Sequence, residues 1–509
     1  MAWSLGPILQ FRGVDSRGLW CVSVMMVGAL AEAAPAARCD NPSAQIAAAR
    51  LIAQVPLSQP TRSVWRVDLA VPLNAGRVHG TVSGLAFSFY VPVPGESPRM
   101  AYGSCNGFSD PKLMKHVDRA NDRWLHMAGL HEQSPYHLLL LGGDQVYSDE
   151  MWKTVPELTA WLKLDKAARL SAPFSRSMRR QVDALFARIY VERWAQPEVA
   201  AMMARLPSVM MWDDHEIIDG WGSYPAEQHS CPVYQGIFQV ARRYFRIFQW
   251  QCGDNEVHPA AIPDQDSFSL GFAGLGEMVL LVPDLRSERQ PALPDPITGK
   301  QLPERILSPA SWEAIYRWMS TRGSGHRHLL LMSSIPVAYL DLSAIEKLLD
   351  TLPGQQELED DLRDHWRSNM HLQERLRLIH RLLAFATEGE RRCRVTILSG
   401  DVHVGALSVI ESTRDEHAGP GSVINQLVST GIVHPAPPAL VRYVLEKFGT
   451  QVDPVDRGIT ATMQPIRGRG RYLIGARNWL ALEPDLQGRL WANWHVEGLA
   501  QPLTKVIHG

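Results

Sequence analysis

Leu138-Leu139-Leu140-Leu141-Gly142-Gly143-Asp144-Gln145-Val146-Tyr147 is the stretch that decides the fold. Four consecutive leucines read as a strand buried on both faces, and the Gly-Gly pair ends it so abruptly that Asp144 falls at the strand's carboxyl end. In open α/β sheets that end is where ligands bind. Taken alone, the stretch is equally a strand running into a turn that happens to hold an aspartate. Its weight comes from recurrence.

Val395 to His403 repeats the construction, with an aliphatic and β-branched run, Gly400, Asp401 and then His403. Ser208 to Glu216 is a third apolar run, closing on Asp213-Asp214-His215-Glu216. Met278 to Arg289 is a fourth, with Asp284, Arg286 and Arg289 after its strand. Four strands of one sheet would carry carboxylates, histidines and an arginine to a common rim. Carboxylates gathered there repel one another, and burying them unpaired costs several kcal/mol each, so a shared cation is the natural explanation. With five or more such groups, two metals ~3.5–4 Å apart are expected, able to clamp a phosphoryl group and turn a bound water into hydroxide at neutral pH.

The order of these pieces resembles the PhoD-like branch of the calcineurin-like metallophosphatases, and within it the PhoD-related phosphatases. Gly143-Asp144-Gln145-Val146-Tyr147 is similar to the family's G-D-x-x-Y element, Asp213-Asp214-His215-Glu216 to its D-D-H-E element, and Gly400-Asp401-Val402-His403 to G-D-V-H. Gly103-Ser104-Cys105-Asn106 falls where the wider superfamily carries D-x-H, and in this branch a cysteine is a first-metal ligand. The matching motifs run from about Tyr102 to about Pro438. Each is weak alone, and all four in order are specific.

The resemblance implies an α/β fold: a metallophosphoesterase-like β-sandwich core flanked by helices, with a small N-terminal antiparallel β domain. It implies Cys105, Asp144, Tyr147 and His403 on a first metal, Fe or Zn, and Asp144, Asp214 and Asp401 on a second, Ca, Mn or Zn. His215 would stabilise the transition state or protonate the leaving oxygen, and Asn106 and Arg286 would hold the substrate. Either Asp213 or Asp214 serves the second metal. The lone histidine that the wider superfamily places between D-H-E and G-D-V-H has no match, so an oxygen-only calcium-like site and a transition-metal site both stay open.

At 509 residues the chain exceeds what one hydrophobic core usually supports. Three parts are expected: an N-terminal β-rich accessory domain (1–97), a catalytic domain (98–440) with helical inserts near 151–206 and 341–387, and a C-terminal helix with closing strands (441–509). Hydrophobic residues at 45%, charged residues at 20% and a net charge of -2 exclude a disordered chain and a broadly basic nucleic-acid binder. The six cysteines include no C-x-x-C pair, which fits a mostly reduced protein.

Trp20 to Ala34 imitates a signal peptide, but Asp15 beside Arg12 and Arg17 fits one poorly, and Leu19 to Val27 reads as a strand. A cytoplasmic protein is expected, with export by an N-terminal signal as the alternative. No apolar run of ~20 residues appears elsewhere, so no membrane span is expected. Ser63–Leu69, Arg77–Val82 and Leu85–Val91 suggest the antiparallel module, with Pro92 to Pro98 as its linker. Met178, Val182, Leu185, Phe186, Ile189 and Tyr190 mark one face of a helix within 167–206. The acidic run Glu357 to Asp364 is a solvated helix face or part of a cap over the metals, in which case Asp364 and His365 join the site. Arg467-Gly468-Arg469-Gly470-Arg471 is a short basic patch.

The leading functional reading is a binuclear metallohydrolase of small-molecule phosphate mono- or diesters, using metal-bound hydroxide. Two others stand beside it: a Cys-His nucleophilic hydrolase with Cys105 attacking and His215 or His403 as base, and a non-catalytic metal-binding protein. Neither the ester preference nor the oligomeric state is written in these residues.

Overall fold

A computed structural model describes residues 3–30, 33–57, 61–74, 76–109, 117–263, 267–294, 299–340, 366, 371–388, 393–417, 419–449, 452–466 and 470–508. The run Glu357 to Asp364, His365, and Arg467 to Arg469 lie outside the described residues.

Trp3–Val14 (β1), Leu19–Ala29 (β2), Arg62–Pro72 (β3), Met100–Gly103 (β4), Leu138–Gly142 (β5) and Ser208–Met211 (β6) belong to one eleven-stranded sheet, in the spatial order β4-β5-β6-β1-β2-β3. Asn478–Pro484, Leu490–Val496 and Leu503–Ile507 extend it antiparallel beyond β4. A second, nine-stranded sheet holds Met278–Val282 (β7), His328–Met332 (β8), Arg394–Ser399 (β9), Gly405–Ser412 (β10) and Val423–Val428 (β11), in the order β7-β8-β9-β11-β10. Within the sheets, β4-β5-β6 and β7-β8-β9-β11 run parallel. Parallel strands are covered on both faces, which is why Leu138 to Leu141 can be apolar at every position and all are fully buried.

One sequence expectation needs correction. The four strands that end in acidic motifs do not share a sheet: β5 and β6 lie in the first, β7 and β9 in the second, and the rims meet across the sandwich. Equal apolarity on both faces of each strand gave no sign of which strands were partners. Most of the N-terminal β region belongs to the first sheet. β1 pairs with β6 at Gln10↔Ser208, and β2 and β3 continue the same sheet. Only Ala37–Cys39, Gly76–Val82 and Leu85–Val91 form a separate three-stranded antiparallel sheet. Leu19–Ala29 is thus an interior strand, hydrogen-bonded on both sides.

The helices cover the sheets. Asp122–Gln133 (α1), Arg176–Trp194 (α2) and Pro232–Tyr244 (α3) precede β7, and the apolar stripe of α2 from Met178 to Tyr190 is buried. Ser175 caps α2 by accepting from the Met178 amide. Leu372–Thr387 (α4) buries Leu378, Ile379, Leu382 and Leu383 against the second sheet's core. Among the described residues no helix is long and apolar enough to cross a membrane.

Gly400 is where the two rims touch. A Cβ there would lie 2.4 Å from Ser104 Oγ and 3.1 Å from the Gly142 carbonyl oxygen, across the sandwich. Gly400→Ala is therefore expected to lower stability by about 1–3 kcal/mol in urea unfolding. An unchanged unfolding midpoint would mean that the rims can part at no cost.

Candidate metal centre

The rims deliver their acidic residues to one place. Asp144, Asp213, Asp214 and Asp401 are buried and each offers an oxygen within 4.8 Å of the others; Asp144, Asp214 and His215 form a second such group. Cys105 Sγ stands 3.4 Å from Asp144 Oδ2 and 2.9 Å from Thr430 Oγ1. Beside the acids runs a column of rings, with centroid separations of 4.4 Å for His215–Tyr147, 6.0 Å for Tyr147–His434 and 3.7 Å for His434–His403.

The turns that carry these groups use an unusual backbone. Cys105 (φ 55°), Asp144 (φ 55°), Asp401 (φ 68°) and His403 (φ 51°) all occupy the left-handed region that non-glycine residues seldom adopt. Such strain persists only where surrounding structure over-determines it, and it gathers at functional sites. Here four residues singled out by motif share it.

Glu216 supplies much of the constraint. Its carboxylate accepts from the backbone amides of Asp144 at 2.9 Å, Gln145 at 2.6 Å and Asp213 at 2.7 Å, and from Gln249 Nε2 at 2.9 Å. The turns after β5 and β6 are thereby tied to one anchor. Gly143, at φ 99°, lets them approach: a Cβ on it would meet that of Asp213 at 2.7 Å. Burial pushes Glu216 up to about 7, against the hydrogen bonds it receives.

Burial, with Cys105 next, pushes Asp144 well above the carboxylate range. Burial likewise raises Cys105 and Tyr147. His403 is held well below the ordinary imidazole value by burial, then by His434 and His215, so it is a neutral ring. Asp144 Oδ1, the Tyr147 hydroxyl and His403 Nδ1 are buried without a hydrogen-bond partner. Orphaned buried polar atoms are rare and costly. Oxygen, sulfur and neutral nitrogen donors left unsatisfied around crowded carboxylates fit a bound cation, and the mixture suits a borderline transition metal.

His215 behaves oppositely. Burial pulls it down, but Asp149, whose Oδ2 lies 2.8 Å from Nδ1, and Asp214 carry it well above the usual imidazole value. Asp149 thus fixes the tautomer and leaves Nε2 as the other donor. Sequence reading missed Asp149, because no strand or helix period marks a residue five positions past Asp144.

Arg286 lies among the acids. Its guanidinium is fully buried, its Nε donates to Asp213 Oδ1, and its Nη2 lies 3.5 Å from Asp214 Oδ1. Ser334 Oγ also donates to Asp213 Oδ1 at 2.8 Å. Arg286 thus stands directly against both acids. This also separates the two adjacent aspartates, with Asp213 engaged by Arg286 and Ser334 while Asp214 Oδ2 accepts the Gly220 amide at 2.7 Å. Asn106 Oδ1 accepts from Trp124 Nε1 at 2.9 Å and from Arg193 Nη2 at 2.8 Å, and its Nδ2 has no partner.

Parallel strands with acidic turns, two sheets meeting at their carboxyl rims and a buried cluster of metal-ligating side chains define a metallophosphoesterase-like α/β fold. Residues 123–356 match the family model described as PhoD related phosphatase. The structure superposes on a solved structure of PhoD over 99% of this chain and 89% of that one, with a TM-score of 0.56 and 14% identity, a likeness of fold. The chain is also 28% identical over 440 residues to the uncharacterized protein YGR266W of Saccharomyces cerevisiae, covering 71% of this chain and spanning 60% of that protein's length. In motif order, family match and fold alike, this chain resembles the PhoD-like metallophosphatases.

His215 carries its charge past neutral pH. Its contribution to stability is complete below its unfolded value of about 6.5 and is lost as pH rises through the higher folded value. Asp149→Asn is expected to bring the His215 titration down towards that unfolded value, readable by NMR; an unmoved titration would show that Asp149 does not set its charge. Glu216→Gln should cost about 1–3 kcal/mol in chemical unfolding, because one carbonyl oxygen replaces two acceptors serving four donors.

Proposed function

We propose that this chain is a metal-dependent phosphoric ester hydrolase with two metal ions, acting on small-molecule phosphate esters. Cys105, Asp144, Tyr147 and His403 would hold the first ion, Fe or Zn, and Asp144, Asp214 and Asp401 the second, whether Ca, Mn or Zn. The observation that carries the reading is the cluster of four buried aspartates with Asp144 Oδ1 unsatisfied inside it. When bound, such ions polarise phosphoryl oxygens and make a water acidic enough to attack phosphorus at neutral pH.

The chain's own residues supply the rest. His215, charged and oriented by Asp149, donates a proton or a hydrogen bond to the departing oxygen. Arg286 offsets the charge of Asp213 and Asp214 and so keeps the acids together. Glu216 and the left-handed turns hold the ligands in place before anything binds, which spares that reorganisation during reaction.

Cys-His nucleophilic chemistry is less well supported. A nucleophilic cysteine needs a nearby base or a depressed pKa. Cys105 is instead raised by burial, and its sulfur contacts Thr430, Asp144, Ser104 and the Asp401 carbonyl, with no histidine among them.

Elemental analysis of protein purified without added metal, with hydrolysis of p-nitrophenyl phosphate and bis-p-nitrophenyl phosphate before and after chelation, tests the proposal. About two metals per chain and chelator-sensitive turnover are expected. Asp144→Ala should abolish turnover and lower metal content. Full activity in metal-free protein would return Cys105 as a nucleophile, and metal retained without turnover of either ester would favour a binding role.

A further inference from the structure

Arg286 is paired with Asp213 and Asp214, so a second cation beside the site with no carboxylate of its own would be the freer one to meet the substrate's negative charge. Arg193, in the last turn of α2, fits that part. Among the described residues no carboxylate lies within ion-pair distance of it: Nε and Nη2 donate to Asn106 Oδ1 at 3.3 and 2.8 Å, and Nη2 donates to Asn121 Oδ1 at 2.6 Å. Glu198 stands behind Asn121, accepting from its Nδ2 at 3.0 Å. Neutral amides therefore orient the guanidinium without neutralising it. Burial, only partly opposed by Glu198 and Tyr147, pulls it down to about 10, the response of a cation short of negative charge.

Its position ties it to the metal centre. Asn106 directly follows Cys105, and its backbone amide donates to the Asp144 carbonyl at 2.7 Å. One residue further on, Gly107 lies so close to the Tyr147 ring that a Cβ would come within 2.4 Å of it. Arg193 thus grips the ligand-bearing loop beside Tyr147, and unlike Arg286 it is not fully buried.

We propose that Arg193 is the anion-recognising residue of this site and that it favours phosphate monoesters, whose terminal phosphoryl group carries a second negative charge, over diesters. This deepens the phosphoester reading and rests on it for the ester preference. A monoester dianion gains more from an uncompensated guanidinium than a diester monoanion, and with Nε and Nη2 given to Asn106 and Asn121, Nη1 is the nitrogen left to meet a phosphoryl oxygen.

The test pairs binding with turnover. Inorganic phosphate is titrated calorimetrically into metal-loaded wild-type, Arg193→Gln and Arg193→Lys proteins, with thermal melts run alongside. Arg193→Gln is expected to weaken phosphate binding about ten- to hundredfold, and Arg193→Lys less, since it keeps the charge and loses the hydrogen bonds to Asn106 and Asn121 that orient the guanidinium. The loss in kcat/KM should be at least about tenfold larger for p-nitrophenyl phosphate than for the bis ester, and should fall mainly on KM. If Arg193→Gln does not fold, Arg193→Lys carries the test by the same KM rise on the monoester.

Phosphate affinity unchanged in the folded variants, or equal losses on both esters, would overturn the inference. Wild-type protein that turns over neither ester yet binds phosphate through Arg193 would instead defeat the hydrolase reading and leave the anion site standing.

Discussion

Four carboxylates buried within 4.8 Å of one another are the constraint to which the rest of the molecule answers. Left alone, such a group would protonate or push itself apart, because like charges at that range in a poorly solvated interior repel strongly. The protein opposes this in three ways. Arg286 sits fully buried on Asp213 and Asp214, Glu216 takes the backbone amides of the turns into one carboxylate, and unsatisfied donor atoms surround the space where a cation would finish the neutralisation. A binding site for positive charge is therefore built into the way the two rims meet.

The two sheets make this arrangement rigid. Cys105 and Asp144 come from the first sheet, Asp401 and His403 from the second, and backbone hydrogen bonds cross between them: the Ile432 amide to the Ser104 carbonyl at 3.0 Å and the His434 amide to that of Cys105 at 3.2 Å. Neither sheet alone carries all of the proposed ligands. The left-handed conformations at all four residues follow from chains that must turn sharply off a strand while keeping a side chain inside, and the crowded contact at Gly400 leaves little room for relaxation. Strain stored in the turns is compatible with a folded state because large clusters of buried apolar residues lie under both sheets.

Charge is also graded across the centre. His215 is held cationic by Asp149 on one side of the ring column, and His403 is held neutral at its other end. One imidazole suits proton or hydrogen-bond donation and the other suits ligation. The same residue type takes two roles because one has a carboxylate 2.8 Å from its Nδ1 and the other is buried with its ring stacked on His434.

What the sequence determined by itself was the set of strands that end in chemistry. An all-apolar run halted by glycine leaves few positions for the next acidic side chain, so Asp144, Asp214, Asp401 and their neighbours were legible as rim residues, as was the buried face of α2. Tertiary structure alone decided which strands were neighbours, because parallel strands buried on both faces carry no alternation to mark a partner. The same limit hid the split of the four acidic strands between two sheets and the merging of β1, β2 and β3 with the core sheet. It also hid the contacts that Asp149, Glu216 and Arg286 make with the site. A charged side chain's role depends on which opposite charge it meets, and that meeting is made by contacts between residues tens of positions apart.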